Sequence, residues 1–421
     1  MNILLIHQNF PGQYKHLGPA LVAQGHRVVA LTMRVKEAQI WEGIEVVPYG
    51  VERGSAKDIH PWLGDFETKL LRGESCYDAA LELRDAKGFS PDVILAHPAW
   101  GESLFLRDVW PQARIGLYCE LYYLSDDAHM AFDPEFPPAN NPDKERLRLR
   151  LKNLNNLMHF DIGDMGISPT AFQADTFPAA FRDRIEVIHD GVDTQALQPR
   201  GDLRLTLSEG VQVSSGDEVI TFVNRRLEPT RGYHVFMRAL PELLRKRPKA
   251  RVLIIGAEGS SYGAQAPAGQ SWKQIFIDEV RGQISDADWA RVHFLNQLPY
   301  DQFIAVLQIS RLHIYLTYPF VLSWSLLEAM SVGATVLASD TAPVREVITD
   351  GHTGRLVDFF DTGALVEAAM ALLEDHSVSL RMGAAARAHV KANYDLRSVC
   401  LPRQLNWVTK LSQMTPQSGT I

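Results

Sequence analysis

Short, uninterrupted apolar runs separated by amphipathic stretches restrict the fold of this chain more than any other feature. Runs rich in Val, Ile and Leu occupy residues 2–6, 26–31, 93–96, 115–118 and 185–188, and then 219–223, 252–255, 292–295, 313–316 and 335–338. Because these runs do not alternate with polar residues, they are typical of parallel strands buried on both faces. Helical stretches such as 14–24 and 143–158 lie between them. The sequence therefore predicts an α/β fold with two doubly wound parallel sheets.

The length of the chain also favours two domains. A chain of 421 residues exceeds what one hydrophobic core supports, so two domains of roughly 200 residues each are expected. We expect Rossmann-like domains at 1–195 and 196–392, followed by a helix and tail at 393–421. The polar stretch 195–217 is predicted to be a linker with a surface turn, and the residues from Ser412 onward are predicted to be disordered.

The arrangement of two such sheets predicts where a ligand binds. In open α/β sheets, ligands lie beyond the carboxyl ends of the strands. If the two sheets face each other, this rule places the active site in a cleft between the domains. The loops that follow the predicted strands are therefore the first places to search for functional residues.

Composition and charge exclude several classes of protein. A formal net charge of −8 argues against general nucleic-acid binding, which needs an excess of Lys and Arg. The three cysteines, Cys76, Cys119 and Cys400, form no metal-ligand spacing and are expected to be reduced thiols in a cytoplasmic protein. No apolar run approaches the ~20 residues that span a bilayer. The first residues are predicted to form a buried strand and not a signal peptide, although contact with the inner face of a membrane is allowed.

The loop at 222–233, FVNRRLEPTRGY, is the richest candidate site. A predicted strand ends at Arg226, and Arg231 and a glycine open the next helix. Two guanidiniums beside a helix N-terminus would make a strong clamp for a diphosphate, because each offers a planar fork of donors with a permanent charge. The alternative is a surface arginine paired with Glu228.

Two further loops follow predicted strands. In the segment 318–333, Ser323 and Ser325 lie near the start of a helix and Glu328 lies in its first turns, where a carboxylate could accept both hydroxyls of a ribose. The alternative is a core helix with Glu328 favoured by the helix dipole. In the loop 7–14, Gly12 would let backbone amides approach a phosphate or a hydroxyl-rich ligand, unless it only forms a tight turn.

Polar residues also end two strands of the first half. His97 follows ILA and Glu120 follows LYC, so both are expected at the same edge of the sheet. A structural role for either is the alternative. The acidic loop 125–129 could suggest a metal, but it has no second carboxylate cluster, so a solvated loop is expected. No GxxxxGK[ST] sequence is present, which disfavours a P-loop enzyme.

Five ordered segments resemble the retaining family-four glycosyltransferases of the two-Rossmann-domain type, known as GT-B. The segments are ISPTAF at 167–172, VIHDGVDT at 187–194, residues 224–244, LLEAMSVGATVLASD at 326–340 and VREVITDGHTGRLV at 344–357. The resemblance covers the second half closely and the first half more loosely. It is specific for the superfamily and not for the substrate.

The resemblance implies roles for the candidate residues. Arg226 and Arg231 would hold the diphosphate of a nucleotide-sugar donor, with Arg231 standing where the family often has Lys. Glu328 would bind the donor ribose, Gln297 and Leu298 would receive the base, and Gly12 would lie near the phosphates or the acceptor. The final helix would cross back to the first domain.

Together these implications predict a retaining transferase that needs no metal or other cofactor. It would move a sugar from a nucleoside-diphosphate sugar, which we expect to be linked to UDP, to a glycan or lipid-linked acceptor in polysaccharide biosynthesis. Arg226 and Arg231 would stabilise the leaving diphosphate, while Glu120 or His97 would orient the sugar or the acceptor.

Two departures from the family pattern leave alternatives open. The first glutamate of the family's pair falls at Phe320, and the family's frequent cleft histidine aligns with Glu120. A catalytically silent subunit that binds a nucleotide or a glycan is one alternative. A nucleotide-sugar epimerase of the same architecture is the other, and it would isomerise the donor without an acceptor.

Overall fold

The computed structural model describes residues 1–125, 131–138, 141–207, 210–261 and 263–416. It divides into two compact units. The first unit comprises Met1–Asp126, Ala139–Asp190 and Arg397–Ile421, and the second comprises Asp127–Pro138 and Gly191–Leu396. Apart from Ser125, the acidic loop 125–129 lies outside the described residues, as do the last five residues of the tail.

The first unit is built on an eight-stranded sheet. Its strands are β1 (Asn2–Ile6), β2 (Arg27–Thr32), β3 (Gln39–Trp41), β4 (Ile44–Pro48), β5 (Val93–Ala96), β6 (Arg114–Tyr118), β7 (Met165–Ser168) and β8 (Ile185–Val187). Their spatial order is β3-β4-β2-β1-β5-β6-β7-β8. All neighbouring pairs are parallel except β3 and β4, which are antiparallel.

Both faces of this sheet are covered. Leu4 and Ile6 of β1 enter one hydrophobic core, and the alternate residues Ile3 and Leu5 enter another. The helices of the unit are α1 (Tyr14–Ala23), α2 (Gly64–Asp85), α3 (Leu106–Val109), α4 (Pro142–Lys152), α5 (Leu154–Ile162), α6 (Ala171–Asp175) and α7 (Ala179–Arg182), with α16 (Leu401–Gln413) at the end of the chain. The predicted helix 143–158 is in fact two helices, divided at Asn153.

The second unit contains a six-stranded sheet that is parallel throughout. Its strands are β11 (Val219–Arg226), β12 (Arg251–Ala257), β13 (Val292–Asn296), β14 (Leu312–Tyr315), β15 (Val336–Ser339) and β16 (Arg355–Val357), in the order β13-β12-β11-β14-β15-β16. Its helices are α8 (Tyr233–Lys246), α9 (Trp272–Arg281), α10 (Asp286–Trp289), α11 (Tyr300–Ile309), α12 (Trp324–Ser331), α13 (Ala342–Arg345), α14 (Thr362–Glu374) and α15 (His376–Asn393). The prediction of two parallel-sheet α/β domains is confirmed.

The polar stretch 195–217 is not only a linker. It contains two short antiparallel strands, β9 (Arg204–Thr206) and β10 (Gln212–Ser214), which form their own sheet. Val213 is 1% exposed and belongs to a core of the second unit. The sequence did not predict this pair because each strand has only three residues. Of these six residues only Val213 is fully buried.

The end of the chain packs in the first unit. A π-helical turn, Leu396–Cys400, leads into α16. The indole of Trp407 donates a hydrogen bond to the carbonyl of Gly166 at 3.2 Å, and a Cβ added to Gly116 would lie 2.5 Å from the same indole. Helix α16 continues to Gln413, so the expectation of disorder from Ser412 onward is wrong for its first two residues.

A segment from the first half of the sequence packs in the second unit. Phe132 contacts the rings of Tyr318 and Phe359, and Phe136 contacts His234 and neighbouring aromatic rings.

None of the helices in the described parts of the chain is long and apolar enough to cross a membrane. All three cysteines are buried free thiols.

Candidate functional site

The order of strands in the second sheet identifies a switch point. The strands β11, β12 and β13 follow one another toward one edge of the sheet, and β14, β15 and β16 follow one another toward the opposite edge. The strands β11 and β14 are neighbours at the centre, and the loops that follow them lead in opposite directions. Such a point is where open α/β sheets bind ligands. Arg226 is the last residue of β11, and the other predicted residues follow the carboxyl ends of the parallel strands, namely Arg231, Gln297, Leu298 and the segment 323–328.

Arg231 joins the two loops at the switch point. Its Nη1 donates to the hydroxyl of Thr317 at 2.9 Å and to the carbonyl of Val321 at 3.0 Å, and both acceptors lie in the loop after β14. The guanidinium carbon also lies 5.5 Å from the ring centroid of Phe320. The side chain is 8% exposed, so its orientation is set by this loop.

The glycine after Arg231 permits this close approach. Gly232 has φ +67°, which glycine adopts without strain. A Cβ at Gly232 would lie 2.2 Å from the Cβ of Leu316, which begins the loop after β14. Gly232 is also the N-cap of α8, so the first turn of that helix follows Arg231 directly in the chain.

Arg226 reaches toward a different loop. It is the last residue of β11, it is half-buried, and its Nη1 donates to the carbonyl of Glu258 after β12. Glu228, which was the alternative partner for an arginine, is 1% exposed and accepts hydrogen bonds from the amides of Ser261 and Gly263 at 2.9 and 3.3 Å. That carboxylate therefore anchors the loop after β12.

Glu328 lies in α12 and is 8% exposed. Its Oε1 accepts a hydrogen bond of 2.7 Å from the hydroxyl of Tyr300, the first residue of α11. Burial and the neighbouring Glu328 carboxylate raise the pKa of Tyr300 well above its usual range. Tyr300 was not among the predicted residues, although it follows Gln297 and Leu298 closely in the sequence. Its hydroxyl orients the carboxylate predicted to bind ribose.

The two predicted serines lie together at the start of α12. Their hydroxyl oxygens, Ser323 Oγ and Ser325 Oγ, are 2.9 Å apart, and the amide of Ser323 donates to the hydroxyl of Tyr315 at 3.0 Å. Ser323 is the N-cap of the helix, but its hydroxyl makes no capping bond. In the connection before α11, Gln297 is exposed and Leu298 is half-buried.

In the first unit, the corresponding switch point lies between β1 and β5. His7 follows β1 and His97 follows β5, and their ring centroids are 5.2 Å apart. Burial lowers the pKa of His7 to about 4 and holds the pKa of His97 well below its usual value, so both rings are neutral at pH 7. A Cβ at Gly12 would lie 2.3 Å from the His7 ring, so this glycine is required by packing against that ring.

His97 and Glu120 are placed differently within this unit. His97 is fully buried, its ring stacks on Tyr118 with centroids 5.0 Å apart, and its Nε2 has no hydrogen-bond partner among the described residues. Glu120 is half-buried, and its backbone carbonyl accepts from the Gln173 side chain at 2.8 Å. Tyr118 in turn donates to the carboxylate of Asp190 at 3.0 and 3.1 Å. Tyr118 thus links the ring of His97 to Asp190, and sequence analysis missed it.

One group of side chains in the described residues has the spacing of metal ligands. Asp133, Glu135 and His234 offer ligand atoms within 4.8 Å of one another. However, both Glu135 oxygens accept hydrogen bonds of 2.6 Å from Arg238. Asp133 Oδ2 accepts from Tyr318 at 2.7 Å and lies 3.0 Å from His234 Nε2. These bonds already occupy both carboxylates, and they hold the segment 131–138 in the second unit.

Family models match both halves of the chain. Residues 24–197 match the model described as glycosyl transferase family 4 group, and residues 206–389 match the model described as glycosyl transferases group 1. The D-inositol 3-phosphate glycosyltransferase of Nocardia farcinica is 32% identical over 212 residues, which are 50% of this chain and 44% of that protein. A GDP-mannose-dependent phosphatidylinositol monomannoside mannosyltransferase of Mycolicibacterium smegmatis is 28% identical over 51% of this chain and 53% of its own length. The chain spans about half the length of the curated relatives it matches.

Solved structures show the same fold along nearly the whole chain. Sucrose-phosphate synthase from Thermosynechococcus elongatus has a TM-score of 0.75 at 16% identity, covering 98% of this chain and all of that one. The Anabaena protein HepE, solved with UDP and glucose, has a TM-score of 0.66 at 16% identity and covers 97% of this chain and 99% of its own. At this level of identity the likeness concerns the fold alone.

Proposed function

Because both halves of this chain match glycosyl transferase family models, we propose that it transfers a sugar from a nucleoside-diphosphate sugar to an acceptor hydroxyl. The observation that carries the proposal is Arg231, a buried guanidinium fixed between the loops of the switch point in the second unit. A buried cation there, beside the N-terminus of α8, is suited to a diphosphate.

In this proposal different residues bind the diphosphate, the ribose and the base of the donor. Arg226 and Arg231 hold the diphosphate, and Glu328 accepts the ribose hydroxyls while Tyr300 orients it. The base lies at Gln297 and Leu298, and the serines 323 and 325 complete the donor contacts of the second unit. The relatives' names include a GDP-mannose-dependent enzyme and the solved structures include a UDP complex, and we propose UDP as the nucleotide here.

The proposed chemistry needs no protein nucleophile and no metal. When the bond between the sugar carbon and the phosphate oxygen breaks, negative charge accumulates on the departing diphosphate. Arg226, Arg231 and the amides at the start of α8 stabilise this charge because they are already oriented toward it. We propose attack by the acceptor hydroxyl on the face that the diphosphate leaves, with the hydroxyl proton passing to the departing diphosphate oxygen, so that the anomeric configuration is retained.

The acceptor side is proposed to involve Glu120 and His97. Glu120 is half-buried and can touch the sugar or the acceptor, whereas the buried His97 would act through Tyr118, on which it stacks. The relatives' names mention inositol phosphate and phosphatidylinositol mannoside acceptors. We propose a glycan or lipid-linked acceptor, used in the cytoplasm or at the inner membrane face.

Calorimetric titration with UDP, GDP and ADP in the absence of metal tests the donor site. One nucleotide is expected to bind the wild type, and Arg226→Ala is expected to weaken that binding about 10- to 150-fold, since a charged hydrogen bond is lost. Arg225→Ala is the matched control, because Arg225 is the preceding residue of the same strand and is exposed. Equal affinity of Arg226→Ala and wild type would remove Arg226 from the site.

Turnover separates the proposed enzyme from its rivals. With the matching nucleotide sugar and a panel of glycan and lipid-linked acceptors, we expect release of the nucleoside diphosphate that depends on the acceptor. Isomerised donor without acceptor would indicate an epimerase. Binding without turnover on any acceptor would indicate a silent subunit, an alternative that Phe320 at the glutamate position favours.

Glu328→Gln tests the ribose contact. The variant is expected to bind UDP about 10-fold more weakly, because an amide donates where the carboxylate accepts from a hydroxyl. The preference of the wild type for UDP over 2′-deoxy-UDP should shrink in the variant. Glu367→Gln, on the exposed face of α14, is the control and should change neither affinity. An undiminished preference for UDP in Glu328→Gln would show that another residue binds the ribose.

A further inference from the structure

Two helices of the first unit bring charged side chains together in a group that we call the charged seam. Helix α2 supplies Asp65 and Lys69, and α4, which packs against it, supplies Glu145, Arg148 and Lys152. Lys69 Nζ donates to Asp65 Oδ2 at 2.7 Å. Arg148 Nε donates to Glu145 Oε2 at 2.9 Å. Lys152 forms no hydrogen bond and no ion pair with any residue that the structure describes.

The ammonium of Lys152 lies against an aromatic ring of the loop that follows β6. Its Nζ is 4.1 Å from the ring centroid of Tyr123. The side chain of Asn153 accepts from the amide of Tyr123 at 2.9 Å and donates to its carbonyl at 2.7 Å, so this loop is fixed to the end of α4. Because Glu120 lies in the same loop, Lys152 is beside the carboxyl edge of the first sheet, where α/β sheets bind ligands.

The charge of Lys152 is incompletely compensated. Burial lowers the pKa of its ammonium to about 8, Asp65 opposes this shift, and Lys69 and Arg148 add to it. At pH 7 the ammonium is still mostly protonated, so the seam carries three cations and two carboxylates. A half-buried ammonium without an anionic partner has lost part of its hydration and gained no bond in exchange. An anion beside Lys152 would supply that bond and favour the charged form.

We propose that Lys152 binds a phosphate group of the acceptor, either that of a sugar phosphate or that of a lipid headgroup. An ammonium is a compact charge with three N–H donors, and a phosphate has several oxygens that can accept from them. The charge of the phosphate would also offset the excess cation of the seam. The inference rests on the proposed function in one respect, because it takes the acceptor as the carrier of the phosphate.

Calorimetric titration of the full chain with inorganic phosphate and with sulfate tests the site, with UDP in excess to occupy the proposed donor site. Lys152→Met should weaken both anions about 10-fold or more, because a charged hydrogen bond is lost. Lys144→Met removes an exposed lysine of the same helix and should change neither affinity. Equal weakening in the two variants, or a wild type that binds neither anion, would overturn the proposal. Acetate bound as tightly as phosphate would also overturn it, since that would indicate a carboxylate ligand.

The pH dependence of sulfate binding distinguishes a ligand contact from a structural role. Sulfate keeps its charge between pH 7 and 9, so the wild-type affinity should fall about 5- to 10-fold in this range as Lys152 loses its proton. Lys152→Arg should bind sulfate without this fall, because arginine stays protonated. The other groups of the charged seam act on both proteins alike. A fall of the same size in Lys152→Arg would show that another group titrates and would remove Lys152 from the site.

Transfer assays separate this inference from the proposed function. Sugar phosphates are compared with their parent sugars, and lipid-linked sugars that contain a phosphate are compared with glycolipids that do not. The wild type should favour the phosphate-bearing member of one comparison about 10-fold or more in kcat/KM, and Lys152→Met should lose this preference. The comparison that responds identifies the source of the phosphate. Transfer without any preference for phosphate would overturn the inference and leave the proposed function standing. Anion binding that needs Lys152, without transfer to any acceptor, would refute the proposed function and the acceptor as carrier, but not the anion site.

Discussion

Replacing Gly232 by alanine is expected to destabilise the second unit by about 2 to 5 kcal/mol, since two costs act together. The backbone has φ +67°, which costs a residue with a Cβ about 1 to 2 kcal/mol. The new Cβ would also lie 2.2 Å from the Cβ of Leu316, and relieving such an overlap in a packed region costs about 1 to 3 kcal/mol. Urea unfolding followed by tryptophan fluorescence measures the loss.

Gly351→Ala is the matched control for this substitution. Gly351 lies in the same unit at φ +72°, but a Cβ there would meet nothing within 4 Å. It should therefore show the backbone cost alone, about 1 to 2 kcal/mol. If the two variants lose equal stability, the close approach of the two loops is not what requires glycine at 232. Leu316→Ala should not rescue Gly232→Ala, because the overlapping atom is the Cβ that alanine keeps.

Lowering the pH from 6.5 to 4 is expected to destabilise the first unit strongly. Burial lowers the pKa of His7, His159 and His189 to about 4 each and that of His97 well below its usual value. In this window the unfolded chain binds protons that the folded unit excludes, so stability falls as the pH falls. Each such histidine contributes a loss of about 1.4 kcal/mol per pH unit.

Glu102 opposes this loss. Burial raises its pKa to about 7, so between its unfolded pKa and pH 7 the folded unit binds a proton that the unfolded chain does not. Its contribution to stability is present at low pH and is lost as the pH rises through about 7. The histidines outnumber it, and a net uptake of about three protons on unfolding is expected.

Urea unfolding at pH 7, 6, 5 and 4.5 measures this proton uptake as the slope of the free energy of unfolding against pH. His159→Gln should reduce the slope by up to about one proton. His60→Gln, at an exposed position of the same unit, should leave it unchanged. A slope near zero in the wild type would show that the buried histidines titrate normally.

The fold was predictable because its strands carry a strong signal. Runs such as β1 and β5 are apolar throughout, and this pattern has few explanations other than a strand covered on both faces. Six strands were missed. The strands β3, β9 and β10 are partly exposed segments of three residues, in which composition is close to that of a loop. The strands β4, β7 and β16 were also missed, and each has five residues or fewer.

The candidate site was predictable where a residue directly follows a strand. Arg226 and Arg231 could be selected because a strand and a glycine fix their place in the sequence of elements. The partners of Arg231 could not be selected, since Thr317 and Phe320 lie about 90 positions further along the chain and their roles depend on which strands become neighbours. Phe320 was recognised only as a missing glutamate.

The sequence by itself determined the alternation of strand and helix, the two parallel sheets and the loops that carry the candidate residues, because these depend on local hydrophobic periodicity. Only the tertiary structure decided what each side chain does in its loop. It placed Phe320 on Arg231, Tyr300 on Glu328 and the segment 131–138 in the second unit. Such contacts join residues far apart in the chain, and their geometry is set by packing, which no local pattern records.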